Sequence, residues 1–311
     1  MGGTEALMQG QWTVDDETIR PRRWFERGMA AALFCCALVS ILTTLGIVVV
    51  LLAEAIQFFR EVSLVEFLTG TTWEPRLEGQ FGILPLLCGT VLVTVGSAIV
   101  ALPIGLASAI YLSEYASKTV SEIVKPVLEV LAGIPSVVFG YLAIVLVSPL
   151  IREVFPSAGV FNAASASIVV GFMVLPMVIS VSEDVLRSVP GSLREAAYAL
   201  GATKLDVTVK VVVPAAISGI VAAFLLALSR AIGETMAVSL AAGNNRNLTL
   251  NPLESVQTMT AYIVQVSQGE MPAGSVEYRS IFAVGLALFV TTMILNVLAY
   301  WFVRRVREKY E

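Results

Sequence analysis

Arg230 and Glu234 stand four residues apart in a run, 215–241, that is otherwise uncharged. A helix through this run sets the two side chains on one face, a single turn apart. A bare charge at the centre of a bilayer costs ~2.5–3.5 kcal/mol even on lenient insertion scales, so Arg230 needs a partner or water. Two readings stand side by side. The two residues can form an intrahelical ion pair that settles the helix against its neighbours. Alternatively they flank a passage, where a guanidinium makes two parallel charge-assisted hydrogen bonds to an oxyanion. Ala223, Ala227, Gly233 and Ala237 lie along or beside the same face, and such small residues allow close packing or an open path.

A second constellation is Glu195–Pro214, EAAYALGATKLDVTVKVVVP, a short polar segment between long apolar runs. Pro190-Gly191 turns the chain, and Ser192 lies three residues before Glu195 in the arrangement of a capping box. Ala196, Ala197, Ala199 and Leu200 favour a helix, and Gly201 stops it. Pro214 is then expected in the first turn of the next span, where its missing N–H costs nothing. The segment therefore predicts a short helix with a small-residue face, ended by a glycine turn. It serves either as an ordinary connector or as a docking element.

Both constellations need a membrane scaffold to position them. The chain is 57% hydrophobic and 14% charged, with mean hydropathy +0.82, more apolar surface than a soluble protein of 311 residues can hide. A hydrocarbon core of roughly 30 Å takes about 20 helical residues. Six stretches qualify: 28–53, 84–112, 127–150, 161–182, 215–241 and 281–303. The first is longer than the roughly 7–15 residues of a signal-peptide core and is read as a retained span. The fold class is thus all-α, a polytopic membrane protein of six transmembrane helices.

Orientation follows from the basic residues. Arg20, Arg22, Arg23 and Arg27, Lys118 and Lys125, Arg187, Arg194, Lys204 and Lys210, and Arg304, Arg305, Arg307 and Lys309 fall on one side. Arg60, Arg76, Arg152, Arg246 and Arg279 fall on the other. Both termini and Glu195–Pro214 are therefore expected in the cytoplasm. Residues 1–27 form a cytoplasmic tail and 28–311 the transmembrane domain. Loops 54–83 and 243–280 are external; the first carries Trp73, suited to the membrane interface, and Val256–Ser267 in the second predicts a short amphipathic helix.

Other features are read as packing. Thr90, Thr94 and Ser97 form a weakly polar stripe on the second span, Asn296 is interhelical glue, and Gly133–Gly140 (GIPSVVFG) bends or opens the third span. Cys35, Cys36 and Cys88 lie in apolar runs without zinc or disulfide spacing. The chain has no histidine, which excludes histidine-based general base chemistry and histidine metal sites. It has no G-x-x-x-x-G-K-[ST] loop either, so energy from ATP must come from another polypeptide. No span holds a nucleophile–base, paired-carboxylate or metal-ligand set for an intramembrane enzyme.

Glu195, Ala196, Ala197, Gly201 and Pro214 match the EAA motif, Glu-Ala-Ala-x3-Gly-x9-Ile-x-Leu-Pro, with Val211 and Val213 in place of isoleucine and leucine. In this the chain resembles permease subunits of type I ABC importers, which implies the MetI-like fold. It also implies that these residues couple the chain to a separate ATPase, with Glu195 orienting the joint. Phe67–Pro75 (FLTGTTWEP), Phe81–Thr90 (FGILPLLCGT), GIPSVVFG and Gly233–Val238 (GETMAV) resemble the phosphate permease family PstC across nearly the whole chain after the tail. That resemblance implies a bacterial inner-membrane phosphate importer completed by a PstA-type permease, two PstB-type ATPases that bind ATP-Mg, and a PstS-type binding protein. This chain itself would hold no cofactor and no metal. Arg230 and Glu234 would then be candidates for the phosphate pathway. A permease for sulfate or molybdate, and an ion-coupled carrier, are the competing readings.

Overall fold

Long apolar stretches leave backbone N–H and C=O groups nothing to bond with in lipid, so helix is the conformation that satisfies them within one segment. The computed structural model of the chain describes residues 16–75, 79–269, 272 and 274–307. Residues 1–15 of the expected tail, and Arg76 and Lys309, lie outside the described residues. Among the described residues, six helical stretches are long and apolar enough to cross a membrane. They are Phe25–Glu61, Leu84–Tyr115, Ser136–Val154, Ala163–Ser188, Lys204–Ile232 and Val276–Arg305.

The first, α1, runs from Asp16 to Glu61, so helix begins within the expected tail and continues past the expected end of the span. By contacts the chain divides into Met1–Ala53 and Glu54–Glu311. The second unit opens with the end of α1, followed by the short α2, Leu64–Thr69, and a hairpin of two-residue strands, β1 Trp73–Glu74 and β2 Gln80–Phe81, in which Trp73 pairs with Phe81. Trp73, expected to suit the membrane interface, does not offer its ring to the surroundings. It is buried edge-to-face against Phe67, Phe81 and Tyr262, because its ring fills the space between the hairpin and a later helix.

Helix α3, Leu84–Ile110, ends in a π-helical turn, Tyr111–Tyr115. It then gives way to α4, Lys118–Ala132, which is capped by the Ser117 hydroxyl on Val120 N–H. The chain breaks at Gly133–Pro135 and resumes as α5, Ser136–Leu142, a π turn, Ala143–Val147, and α6, Ser148–Val154. The expected span 127–150 is therefore opened at GIPSVVFG into two helices, one of the two outcomes expected there. Pro135 removes a backbone donor and disfavours helical Ile134, and Gly133 ends α4.

Helix α7, Ala163–Ser188, is capped by Asn162 and packs along α3 at the centre of the bundle. Small residues make this closeness possible. A Cβ on Gly105 would lie 2.5 Å from Val178, and one on Gly171 would lie 3.1 Å from the Ser97 carbonyl. The stripe of Thr90, Thr94 and Ser97 is buried here, each hydroxyl bonded back to its own helix, as a packing face requires.

After α8, Gly191–Ala199, comes α9, Lys204–Val207. A π turn, Thr208–Val212, joins it to α10, Val213–Ile232. Pro214 lies in the first turn of α10, as expected, although helix already begins at Lys204. The Thr203 hydroxyl caps the helix at Lys204, and the π turn takes up the proline's missing bond. The span also ends early: Gly233–Thr235 separate α10 from α11, Met236–Ala241. Helix α12, Met259–Ser267, lies within the helix expected at Val256–Ser267, and α13, Val276–Arg307, completes the bundle. Asn296 of α13 accepts a hydrogen bond from Ser229 of α10 at 2.8 Å, the interhelical contact expected of it.

Candidate functional site

Arg230 lies in the last turn of α10. Its side chain is exposed, and among the described residues it has no hydrogen bond or ion pair. It lines a cavity of about 520 Å³ between α4 and α7. Leu128, Glu129 and Ala132 of α4 form one wall, Met173, Met177 and Ser180 of α7 another, and Leu112 of the first π turn contributes to the rim. Arg230 is thus placed beside an accessible hollow.

Glu234 is not its partner, contrary to the ion pair weighed from the spacing. Gly233 closes α10, so the four-residue separation crosses a helix break and the two side chains do not share a helical face. The Glu234 carboxylate instead accepts the Ala237 N–H at 3.1 Å and caps the start of α11. Its backbone carbonyl accepts from the Thr260 hydroxyl at 2.8 Å, which pins the break to α12. The break packs beside the other one: a Cβ on Gly140 of α5 would lie 3.0 Å from the Ala237 Cα. Two interrupted helices therefore meet near the cavity, and interrupted backbone of this kind is found where it lines a cavity or is buried in protein.

Charged residues of α4 and α7 also line the cavity. Glu183 of α7, 1% exposed, is paired with Lys125 of α4 at 2.8 Å and with Arg187 one turn along its own helix. Arg187 also donates to Ser121 Oγ at 3.0 Å, so α4 is strapped to α7 at two points. This cluster was not singled out from sequence, although Glu183 sits where a span leaves the apolar run. Glu129 and Asp184 bring two further carboxylates to the lining, and Lys125 and Arg230 two cations.

At the Ser188 end of α7 lies the helix expected from the EAA spacing. It spans Gly191–Ala199, and its glycine stop is present in full: Gly201 has φ +82°, its N–H bonds Tyr198 O, and the Ala202 N–H bonds Ala197 O. The capping box does not form. The helix begins after Pro190, which brings Ser192 inside the first turn, and neither Ser192 nor Glu195 has a partner among the described residues. Glu195 and Ala196 are exposed and Ala197 is half-buried. The helix is held by Arg194, a residue the motif does not mark. Its guanidinium donates to Val189 O at 2.6 Å, Leu186 O at 2.9 Å and Glu114 Oε1 at 2.9 Å. A basic residue shortly after a helix C-terminus was the available signal, since such residues satisfy the last carbonyls.

Comparison with known proteins agrees with this architecture. A family model described as the binding-protein-dependent transport system inner membrane component matches residues 101–308. A probable ABC transporter permease of Bacillus subtilis, YqgH, is 38% identical over 267 residues, covering 85% of this chain and 86% of the relative. The phosphate transport system permease protein PstC of Mesorhizobium japonicum is 33% identical, covering 77% and 78%. The protein of the same name from Haemophilus influenzae is 31% identical, covering 93% and 98%. Among solved structures, a chain of a bacterial alginate ABC transporter overlays with TM-score 0.65 at 15% identity, over 92% of this chain and 98% of that one. A chain of the MetNI methionine ABC transporter overlays with TM-score 0.53 at 19% identity, over 72% and 94%. These likenesses give the fold as that of ABC importer permeases. The family match spans more than half of the residues and includes both helix breaks, α8 and the cavity, and the chain accordingly belongs to the inner membrane components of binding-protein-dependent transport systems.

Proposed function

We propose that this chain is one of two permease subunits in an ATP-driven importer of inorganic phosphate. Its path runs past Arg230, and α8 receives force from a separate ATPase. The observation that carries the pathway is Arg230, a guanidinium that stands beside a cavity and whose donors meet no partner among the described residues. In such a place it can hold a phosphate oxygen pair in parallel hydrogen bonds. The acidic groups on the cavity wall keep that hold weak, which suits transport, since an anion must leave as well as enter. Glu234 acts here through the backbone, fixing the break above Arg230, and not as a direct partner of the anion.

Phosphate as the cargo is supported by the two relatives that carry that name over most of their length. Coupling through Glu195, Ala196, Ala197, Gly201 and Pro214 is supported by the exposed helix and its glycine turn. On this reading 183–214 is the coupling loop of the 28–311 permease domain. Residues 1–27, both termini and α8 are cytoplasmic, in keeping with the distribution of arginine and lysine. A PstA-type second permease, a pair of PstB-type ATPases with ATP-Mg and a PstS-type binding protein complete the assembly.

The test is uptake of labelled phosphate by the whole complex in vesicles. Uptake is expected to require ATP, to resist competition by sulfate and molybdate, and to fall in Arg230→Gln. Equal competition would reassign the cargo to another oxyanion. Uptake that survives ATP depletion with an ion gradient intact would make the chain an ion-coupled carrier.

A further inference from the structure

Helix α8 buries none of its residues. Nine residues are too few for a helix to hold itself in water, so its position depends on ties to the rest of the chain. Apolar ties are slight, with Ala197 and Ala202 only resting against the cluster around Val207 and Val212. The polar tie is Arg194, whose side chain is 20% exposed against 8% for Glu114. Its three acceptors come from two different spans. Leu186 O and Val189 O are terminal carbonyls of α7, and Glu114 belongs to the π turn that ends α3. Ser113 Oγ donates to the same Glu114 oxygen at 3.1 Å. The next residue of that turn, Tyr115, carries Lys204 Nζ over its ring at 4.8 Å. Both ends of the α8 loop are therefore fastened to one π turn, and Leu112 of that turn lines the Arg230 cavity.

We infer that Arg194 and Glu114 are positioning residues for energy coupling: their joint makes α8, the end of α3 and the end of α7 move as one body. Displacement of α8 is then delivered through the π turn to Leu112 and through α7 to Glu183 and Asp184, all of which line the cavity. Glu195 orients nothing within this chain and is left free for the partner. The inference rests on the reading of α8 as the coupling helix. A lysine at 194 could not replace the arginine, because its single nitrogen cannot reach two carbonyls and a carboxylate in the fixed geometry of the fork.

The experiment compares wild type, Arg194→Ala, Arg194→Lys, Glu114→Gln and the Arg194→Ala/Glu114→Gln double variant in the complete reconstituted complex. It measures co-purified ATPase, ATP hydrolysed and phosphate taken up. Phosphate delivered per ATP is expected to fall roughly tenfold in Arg194→Ala, from the loss of charge-assisted bonds, and less in Arg194→Lys and Glu114→Gln. The double variant is expected to be no worse than Arg194→Ala, because the two side chains act as a unit. An unchanged ratio, additive losses, or hydrolysis and uptake falling in step with lost assembly in every variant would overturn the joint. A wild-type complex that contains no ATPase would instead refute the proposed function.

Discussion

Arg194 and Arg230 each extend a guanidinium near a helix terminus, yet Arg194 meets three acceptors inside the chain and Arg230 meets none among the described residues. A guanidinium with its donors filled is a strut, because moving it breaks several charge-assisted bonds together. One with its donors open, in a cavity that water can enter, keeps its bonding capacity for something that arrives later. The same contrast separates Glu183, gripped by Lys125 and Arg187, from Glu195, which has no partner among the described residues. Side chains that hold the permease together can thus be told from those whose bonding capacity is left open.

The sharpest way to break this contrast is at Arg230. Arg230→Gln is expected to reduce phosphate uptake roughly ten- to a hundredfold, the worth of a lost charge-assisted pair, while the melting temperature of the complex stays the same. Arg230→Lys should fall between the two, keeping the charge without the parallel bonds. A large fall in melting temperature would show that Arg230 is structural after all.

At Glu183 the expectation reverses. Glu183→Gln leaves Lys125 and Arg187 without their shared carboxylate, which for a fully buried pair costs about 3–5 kcal/mol. Both cations are partly exposed, at 40% and 47%, so solvent reduces the loss to about 1–2 kcal/mol. Thermal unfolding of the purified complex should therefore shift down by a few degrees. No shift would mean that α4 is not fastened to α7 through this group. Asn296→Leu removes a weaker tie, the acceptor for Ser229, and is expected to cost about 0.6 kcal/mol in the same measurement.

What the sequence made legible follows the same line. Span positions were readable because apolar length is a property of composition, and α8 with its Gly201 turn was readable because local propensity and a positive φ decide it. The break at Gly133–Pro135 was announced by its glycine and proline, but the one at Gly233–Thr235 was not: apolar residues continue across it, so a hydropathy window sees one span where the backbone has two pieces. That error produced the Arg230–Glu234 pair, which assumed an unbroken helix. Trp73 was misplaced for a different reason, because its neighbour Tyr262 lies far along the chain and no local pattern announces it. Arg194 and Glu114 were missed on similar grounds, since eighty positions separate them.

Glu195 gives the smallest structural effect and for that reason tests the contrast most cleanly. It neighbours Arg194 in sequence, on the same short helix, but has no hydrogen bond or ion pair among the described residues to lose. Glu195→Gln is therefore expected to change the stability of the complex by no more than about 0.5 kcal/mol, the ordinary range for a surface substitution. If α8 docks on an ATPase, the same variant should still lower uptake, and a compensating change on the partner's surface should recover it. The reverse outcome, a fall in melting temperature with uptake intact, would mean that Glu195 belongs with Arg194 among the struts. The division of α8 into an inner anchored face and an outer free one would then fail, because its two adjacent charges would be doing the same job.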